Sequence, residues 1–222
     1  MAKNKLRKFA EMETYQHVEQ PSLEELKKGF ALKGKWKKEF FKNDKPLVLE
    51  LGCGKGEYSV GLARKYPDKN FLGLDIKGSR MWTGATEAKE EGLANVGFLR
   101  LSIEFIEMAF AESEVDEIWI TFPDPQLKKR RANKRLTHPL FLKRYQNLLA
   151  KEGYIHLKTD SQFLHGYTLG VIEGEGHVLE DATHDLYNAM VEREHMEIKT
   201  HYEGIYLAKG QPITYLRFKL NY

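Results

Sequence analysis

From residue 47 onward, short apolar runs alternate with stretches of helical spacing. Runs at 47–51 (Leu-Val-Leu-Glu-Leu), 70–75, 96–101, 115–121 and 153–158 have the length of strands. Between and after them, apolar residues recur at helical intervals over roughly 57–65, 79–91, 104–111, 139–150 and 161–173. In the 139–150 stretch, Phe141, Leu142, Tyr145, Leu148 and Leu149 share one face. Near-continuous apolar strands separated by helices predict βαβ units, hence a mostly parallel sheet with helices on both faces. After residue 176 the rhythm changes, and 178–179, 204–207 and 214–220 read as strands with little helix between them. These strands are expected to extend the same sheet in antiparallel fashion.

Ahead of the alternating region, residues 1–20 are polar and aperiodic and are expected to form a flexible basic arm. Residues 21–222, with no repeat and no Pro/Gly/Ser-rich linker, are expected to form one domain. Ser22 and Glu25 have the spacing of a capping box. Trp36, Phe40 and Phe41 are expected to dock a small helix, and 42–46 reads as a turn.

The composition narrows the class. No apolar run approaches the ~20 residues of a membrane helix, and the N-terminus lacks the apolar stretch of a secretory signal. The chain holds one Cys, so neither an internal disulfide nor a Cys-cluster zinc site is expected. Its eight His show no ligand spacing, and no metal is expected. A soluble cytoplasmic protein is the expectation. The net charge of +3, from 35 basic and 32 acidic residues, conceals a strong asymmetry. Six positive charges lie in 128–135 (Lys-Lys-Arg-Arg-Ala-Asn-Lys-Arg), and Lys3, Lys5, Arg7 and Lys8 add four more. Without those ten charges the remainder carries −7. Such clusters are either solvated faces or surfaces that displace counterions from a nucleic-acid backbone.

The first strand runs into Glu50-Leu-Gly-Cys-Gly-Lys-Gly56, which opens the first helix of the alternating region. Gly52, Gly54 and Gly56 permit a tight turn and close approach of a ligand to the backbone. Asp75 ends the second strand, where an acid can accept hydrogen bonds from ribose hydroxyls. The spacing Gly-x-Gly-x-Gly differs from the usual dinucleotide pattern, and Glu50 beside it would repel a pyrophosphate. It suits a cofactor with a cationic end, as S-adenosylmethionine has. Lys55 lacks the P-loop context and is expected to face solvent. Trp82, on the helix after Asp75, is placed to line an adenine pocket. The fourth strand ends in Thr121-Phe-Pro-Asp-Pro125, at the sheet edge where open α/β folds bind ligands. Asp124, stiffened by flanking prolines, can accept the paired N–H groups of guanine or cap its own turn.

Thr121-Phe-Pro-Asp-Pro, Lys128-Lys-Arg and Lys134-Arg-Leu136 resemble the signature of the bacterial-type tRNA (guanine-N7-)-methyltransferases, a class I S-adenosylmethionine-dependent family. His156-Leu-Lys-Thr-Asp160, Thr200-His-Tyr-Glu203 and Gly210-Gln-Pro212 resemble its later motifs. The likeness spans roughly 45–220. It implies a Rossmann-like class I methyltransferase fold, with Glu50, Gly52, Gly54, Gly56, Asp75, Ser102 and Asp124 around the cofactor. It implies Asp124 as the catalytic residue and Lys128, Asp160, Thr200, His201, Tyr202 and Glu203 as substrate-binding. It further implies that Arg130, Arg131, Ala132, Asn133, Lys134 and Arg135 contact RNA. Gln126-Leu127 and Ser102 depart from the family pattern, which has Trp-Pro and an acid at those places.

The implied reaction is methyl transfer from S-adenosylmethionine to N7 of a guanine in the tRNA variable loop, by direct displacement, with acidic residues positioning the base. Two other readings compete: a class I methyltransferase acting on another RNA or a small molecule, and an RNA-binding module that has lost catalysis. The basic loop beside Asp124 argues against a small-molecule substrate. The glycine loop with Glu50 and Asp75 argues against lost catalysis.

Overall fold

The computed structural model describes residues 2–191 and 193–222. In chain order, helix α1 (Ala2–Glu13) and a short strand β1 (Val18–Glu19) precede α2 (Leu23–Gly29) and a π-helical turn at Trp36–Phe40. The alternating region follows: β2 (Leu47–Leu51), α3 (Glu57–Lys65), β3 (Asn70–Asp75), α4 (Gly78–Glu90), β4 (Val96–Arg100), α5 (Ile106–Ala109) and β5 (Val115–Thr121). After a 3-10 segment at Lys129–Lys134 come α6 (Pro139–Leu148), β6 (Leu149–Thr159), α7 (Gln162–Gly174), β7 (Val178–Thr183), α8 (His201–Ala208) and β8 (Thr214–Lys219).

The eight strands form one sheet in the order β1-β4-β3-β2-β5-β6-β8-β7. Pairing is parallel from β1 to β6 and antiparallel at β6/β8 and β8/β7. Side-chain alternation along β2 sends Leu47, Leu49 and Leu51 into one layer and Val48 into the other. The first layer is closed by Leu26, Trp36 and the apolar faces of α5, α6 and α7. The second is closed by α1, α3 and α4. The chain runs outward from β2 through β3 to β4, then returns to β5 on β2's other side. The ends of β2 and β5 therefore flank the point where strand order reverses, the crevice in which such sheets bind ligands.

The capping box at Ser22 is present in both directions, with Glu25 N–H on the Ser22 hydroxyl and Ser22 N–H on the Glu25 carboxylate. Two expectations need correction. The N-terminal segment, read as an aperiodic arm, contains a helix, because Phe9 and Met12 pack against Gly78 at the start of α4. A Cβ on Gly78 would lie 2.7 Å from the Phe9 ring, so the glycine is what lets α1 approach. The run at 204–207 is helical rather than extended, since Thr200 and Glu203 cap α8 reciprocally. A four-residue apolar run carries no period that separates strand from helix. The short helix expected at 104–111 is present as a 3-10 turn followed by one turn of α-helix.

Met12 is fully buried. We expect Met12→Ala to lower unfolding free energy by about 2–5 kcal/mol, measured by urea denaturation. A change below about 0.5 kcal/mol, typical of a surface site, would mean that α1 is not docked.

Candidate active site

The loop after β2 is laced onto the end of β3. Gly52 and Cys53 donate their N–H groups to the Leu74 carbonyl, at 2.7 and 3.0 Å. Gly54 N–H donates to Asp75 Oδ2 at 2.9 Å, and Lys77 N–H to Asp75 Oδ1 at 2.7 Å. Gly52, Gly54 and Gly56 all have φ between 57° and 79°, the left-handed region that side chains disfavour. At Gly56 a Cβ would also stand 2.6 Å from the Phe98 ring, so the loop admits no side chain there.

Glu50 points from β2 toward α3 and is buried. Oε2 accepts the Ser59 N–H at 2.9 Å and the Ser59 hydroxyl at 2.5 Å, and Oε1 accepts the Thr121 hydroxyl at 2.5 Å. Every one of these donors is neutral. Burial pushes the Glu50 carboxyl up to about 7; the three hydrogen bonds oppose that shift and the nearby Asp75 adds to it. A buried carboxylate without a cationic partner is costly. It fits a ligand that brings positive charge into the crevice.

That crevice is a cleft of about 100 Å³ lined by Glu50, Gly52, Cys53, Gly54, Lys55, Glu57, Asp75, Arg80, Thr121, Phe122, Thr200 and Tyr202. It therefore joins the glycine loop to a motif almost 150 residues further along the chain. The junction is direct, since His201 N–H donates to Glu57 Oε2 at 3.0 Å. Ser102 lies outside the lining. It follows Leu101, whose N–H reaches the Asp75 carbonyl at 3.1 Å, and its own carbonyl accepts from Phe105. Trp82 turns away from the cleft; its indole N–H donates to Glu11 at 2.6 Å and Lys8 stands 4.2 Å over its ring. The expected adenine-lining role is thus replaced by packing against α1.

Asp124 is exposed at the edge of the sheet beyond β5, and its Oδ1 accepts the Gln126 N–H at 2.9 Å. Phe122 and Gln126 on either side have φ of 46° and 47°. Left-handed non-glycine residues cost of order 1–3 kcal/mol each and persist only where surroundings enforce them. Asp160, half-buried after β6, has its carboxyl raised by burial. Burial raises the Tyr206 hydroxyl, the Asp160 charge adds to that shift, and the Tyr206 ring stacks on Phe122 at 6.2 Å. Asp160 therefore sits on the same side of the site as Phe122.

The basic run divides. Lys128, Lys129, Arg130 and Arg131 are exposed, Lys134 pairs with Glu104 at 2.5 Å, and Ala132 and Asn133 complete the turn. Arg135 is only 5% exposed and faces inward, unlike its neighbours in the run. Glu203 is also withdrawn from the surface. It is fully buried and pairs with the equally buried Lys158 at 2.7 Å, while the Tyr187 hydroxyl donates to it at 2.5 Å. Lys158 also donates to the Ile198 carbonyl at 3.2 Å, and burial lowers its ammonium's affinity for a proton while Glu203 opposes. Glu203 thus anchors α8, with Thr200 and Tyr202 at the cleft. Sequence reasoning gave no individual role to Ser59, Arg80, Phe122, Lys158 and Tyr187, although Phe122 and Lys158 stand inside the motifs Thr121-Phe-Pro-Asp-Pro and His156-Leu-Lys-Thr-Asp160.

The fold and this site define a class I methyltransferase. The same sheet and layers recur at TM-score 0.62 in the 16S rRNA methyltransferase KamB (16% identity, covering 80% of this chain and 89% of that one). They recur at TM-score 0.59 in a 30S ribosomal A1408 methyltransferase from an uncultured bacterium (17% identity, 82% and 90%). Residues 44–216 match the model of a family described as putative methyltransferase. Over 221 residues the chain is 60% identical to the tRNA (guanine-N(7)-)-methyltransferase of Christiangramia forsetii, covering 99% of both. It is 55% identical to that of Bacteroides fragilis (99% of this chain, 87% of that protein) and 42% to that of Cytophaga hutchinsonii (99% and 98%). The chain belongs to the tRNA (guanine-N(7)-)-methyltransferase family, and S-adenosylmethionine is its methyl donor.

Removing one partner of a buried ion pair strands the other. We expect Lys158→Met and Glu203→Gln each to cost about 3–5 kcal/mol in urea denaturation, with the double variant costing less than their sum. Strict additivity would mean that the two groups do not interact.

Proposed function

We propose that the protein transfers a methyl group to N7 of a guanine in the variable loop of tRNA. The observation that carries this reading is that one cleft brings Glu50, Asp75 and the glycine loop together with Thr121, Phe122, Thr200 and Tyr202, while Asp124 and four exposed cations follow Phe122 along the chain. Glu50, Asp75 and the glycine loop hold S-adenosylmethionine, which supplies an electrophilic methyl group when bound. In this reading the protein works in the cytoplasm, where tRNA is found.

The residues' task follows from guanine's chemistry. N7 has a lone pair and no proton, so no base is needed to generate the nucleophile. Alignment and electrostatics remain. Asp124, with Oδ1 fixed by the Gln126 amide, presents a carboxylate that accepts guanine N–H groups and offsets the positive charge that develops on the base. Asp160 lies toward Phe122 and Tyr206, which offer apolar faces to an unstacked base. Thr200 and Tyr202 share the lining of the cleft with Asp75. Lys128, Lys129, Arg130 and Arg131 face outward to bind tRNA phosphates. Lys5 and Arg7 on α1, docked beside the start of α4, add charge on the Asp75 side.

The product decides between guanine-N7 transfer and the alternatives. We expect bulk tRNA lacking the modification to gain 7-methylguanine in the variable loop; a methyl group on another base or loop overturns the reading. Asp124→Ala is expected to lower turnover on the order of 10²-fold or more with cofactor binding intact, and near-wild-type turnover would remove Asp124 from the mechanism.

Glu50 gives a pH signature. Its folded pKa of about 7 lies above the 4.5 of a free glutamate, so the folded apo-protein holds the proton and loses stability as pH rises between those values. A cationic ligand favours the ionised form. Cofactor affinity is therefore expected to rise with pH, by up to about tenfold per unit, and to level off above about 7. Glu50→Gln should bind weakly with a flat profile in calorimetry. A flat profile in the wild type would mean that Glu50 is already ionised.

A further inference from the structure

Arg135 stands in a basic run, yet it is buried and its hydrogen bonds point inward. Its Nε donates to the Pro125 carbonyl at 3.2 Å and one terminal nitrogen to the Gln126 carbonyl at 3.0 Å. The guanidinium lies over two rings of α7, Phe163 at 4.8 Å and Tyr167 at 4.3 Å. It forms no ion pair among the described residues. Two carbonyl dipoles and two ring faces take the place of a carboxylate.

Those carbonyls belong to the two residues that follow Asp124. Gln126, one of the pair, is held at positive φ and fixes Asp124 Oδ1 through its N–H. The other end of the turn is held by Phe122 N–H on the Lys158 carbonyl at 2.8 Å. Among the described residues, Arg135 alone donates hydrogen bonds to the 125–126 carbonyls. A planar fork that spans two successive carbonyls while stacking on rings is an arginine property that lysine lacks.

We propose that Arg135 is a positioning residue. It braces the Pro125–Gln126 turn against α7 and so sets the direction of the Asp124 carboxylate, whereas its neighbours Arg130 and Arg131 bind RNA. The Arg135 side chain sets alignment in the reaction and makes no phosphate contact. This assignment rests on the proposed tRNA reaction, but the brace itself is testable without substrate.

Arg135→Lys keeps the charge and removes the fork. Hydrogen exchange of the free protein is expected to quicken at residues 122–127 in this variant and to stay at wild-type rates there in Arg130→Gln/Arg131→Gln. With tRNA, Arg135→Lys should lower kcat on the order of 10²-fold while KM for tRNA and its salt dependence hold. The Arg130→Gln/Arg131→Gln variant should raise KM and flatten the slope of log affinity against log salt by roughly 1–2. Should Arg135→Lys fold poorly, Tyr167→Leu removes one ring face and should give the same pattern, more weakly. Unchanged exchange at 122–127 overturns the brace, as does an Arg135→Lys variant that shifts KM and salt slope with kcat unchanged. If the wild type fails to methylate tRNA, the functional reading falls while the exchange result still decides on the brace.

Discussion

A single buried carboxylate ties the site together. Glu50 ends the strand at which the sheet reverses its order, and it draws donors from both sides of that reversal: Ser59 on α3 and Thr121 on β5. Those three hydrogen bonds set the spacing between the glycine loop and the Asp124 turn, because two hold the start of α3 and the third holds the end of β5 to the same side chain. The contact is not a gift to stability. A carboxylate held out of water among neutral donors is a poor choice for the apo fold alone, and an apolar residue of the same shape would serve better. Its retention makes sense as stored demand for positive charge at the place where a cationic cofactor belongs.

The alternating core of this fold is plain in the sequence because its signal is local. Strands β2, β3 and β5 begin and end where their apolar runs do, and α3 where its helical spacing does. The glycine loop and Asp75 are legible for the same reason: a turn needing three left-handed residues can be filled by little else. What was hidden depends on distant partners. The helical state of residues 201–208 is decided by a cap and by a lysine on β6, more than forty residues upstream. Docking of α1 depends on a glycine at position 78, whose relevance is visible only when the two segments meet. Charge is the sharpest case. Arg130 and Arg135 look alike in a basic run, but one faces water and the other a pair of carbonyls. No one-dimensional reading separates them.

The basic loop thus combines two kinds of cation that act on different quantities. Exposed ones interact through a screened field and govern encounter with a polyanion. The buried one acts through fixed geometry and is insensitive to salt. Having both within eight residues places the grip on a substrate next to the brace for the carboxylate that acts on it. A substrate pulling on the outer residues loads the same short segment that holds Asp124.

The segment between β7 and β8 has a further consequence. Residues 184–213 leave the sheet at one strand and return at its immediate antiparallel neighbour. The two ends are therefore fixed a strand's width apart, whatever lies between. The excursion resembles a variable loop carried on an immunoglobulin framework. Its length and sequence can drift through evolution without disturbing the register of the eight strands. Its contact with the cofactor cleft is kept by the buried Lys158–Glu203 pair together with the His201–Glu57 hydrogen bond. Substrate preference in such a fold can change by exchanging an insert, while the chemistry at Glu50 and Asp75 stays as it was.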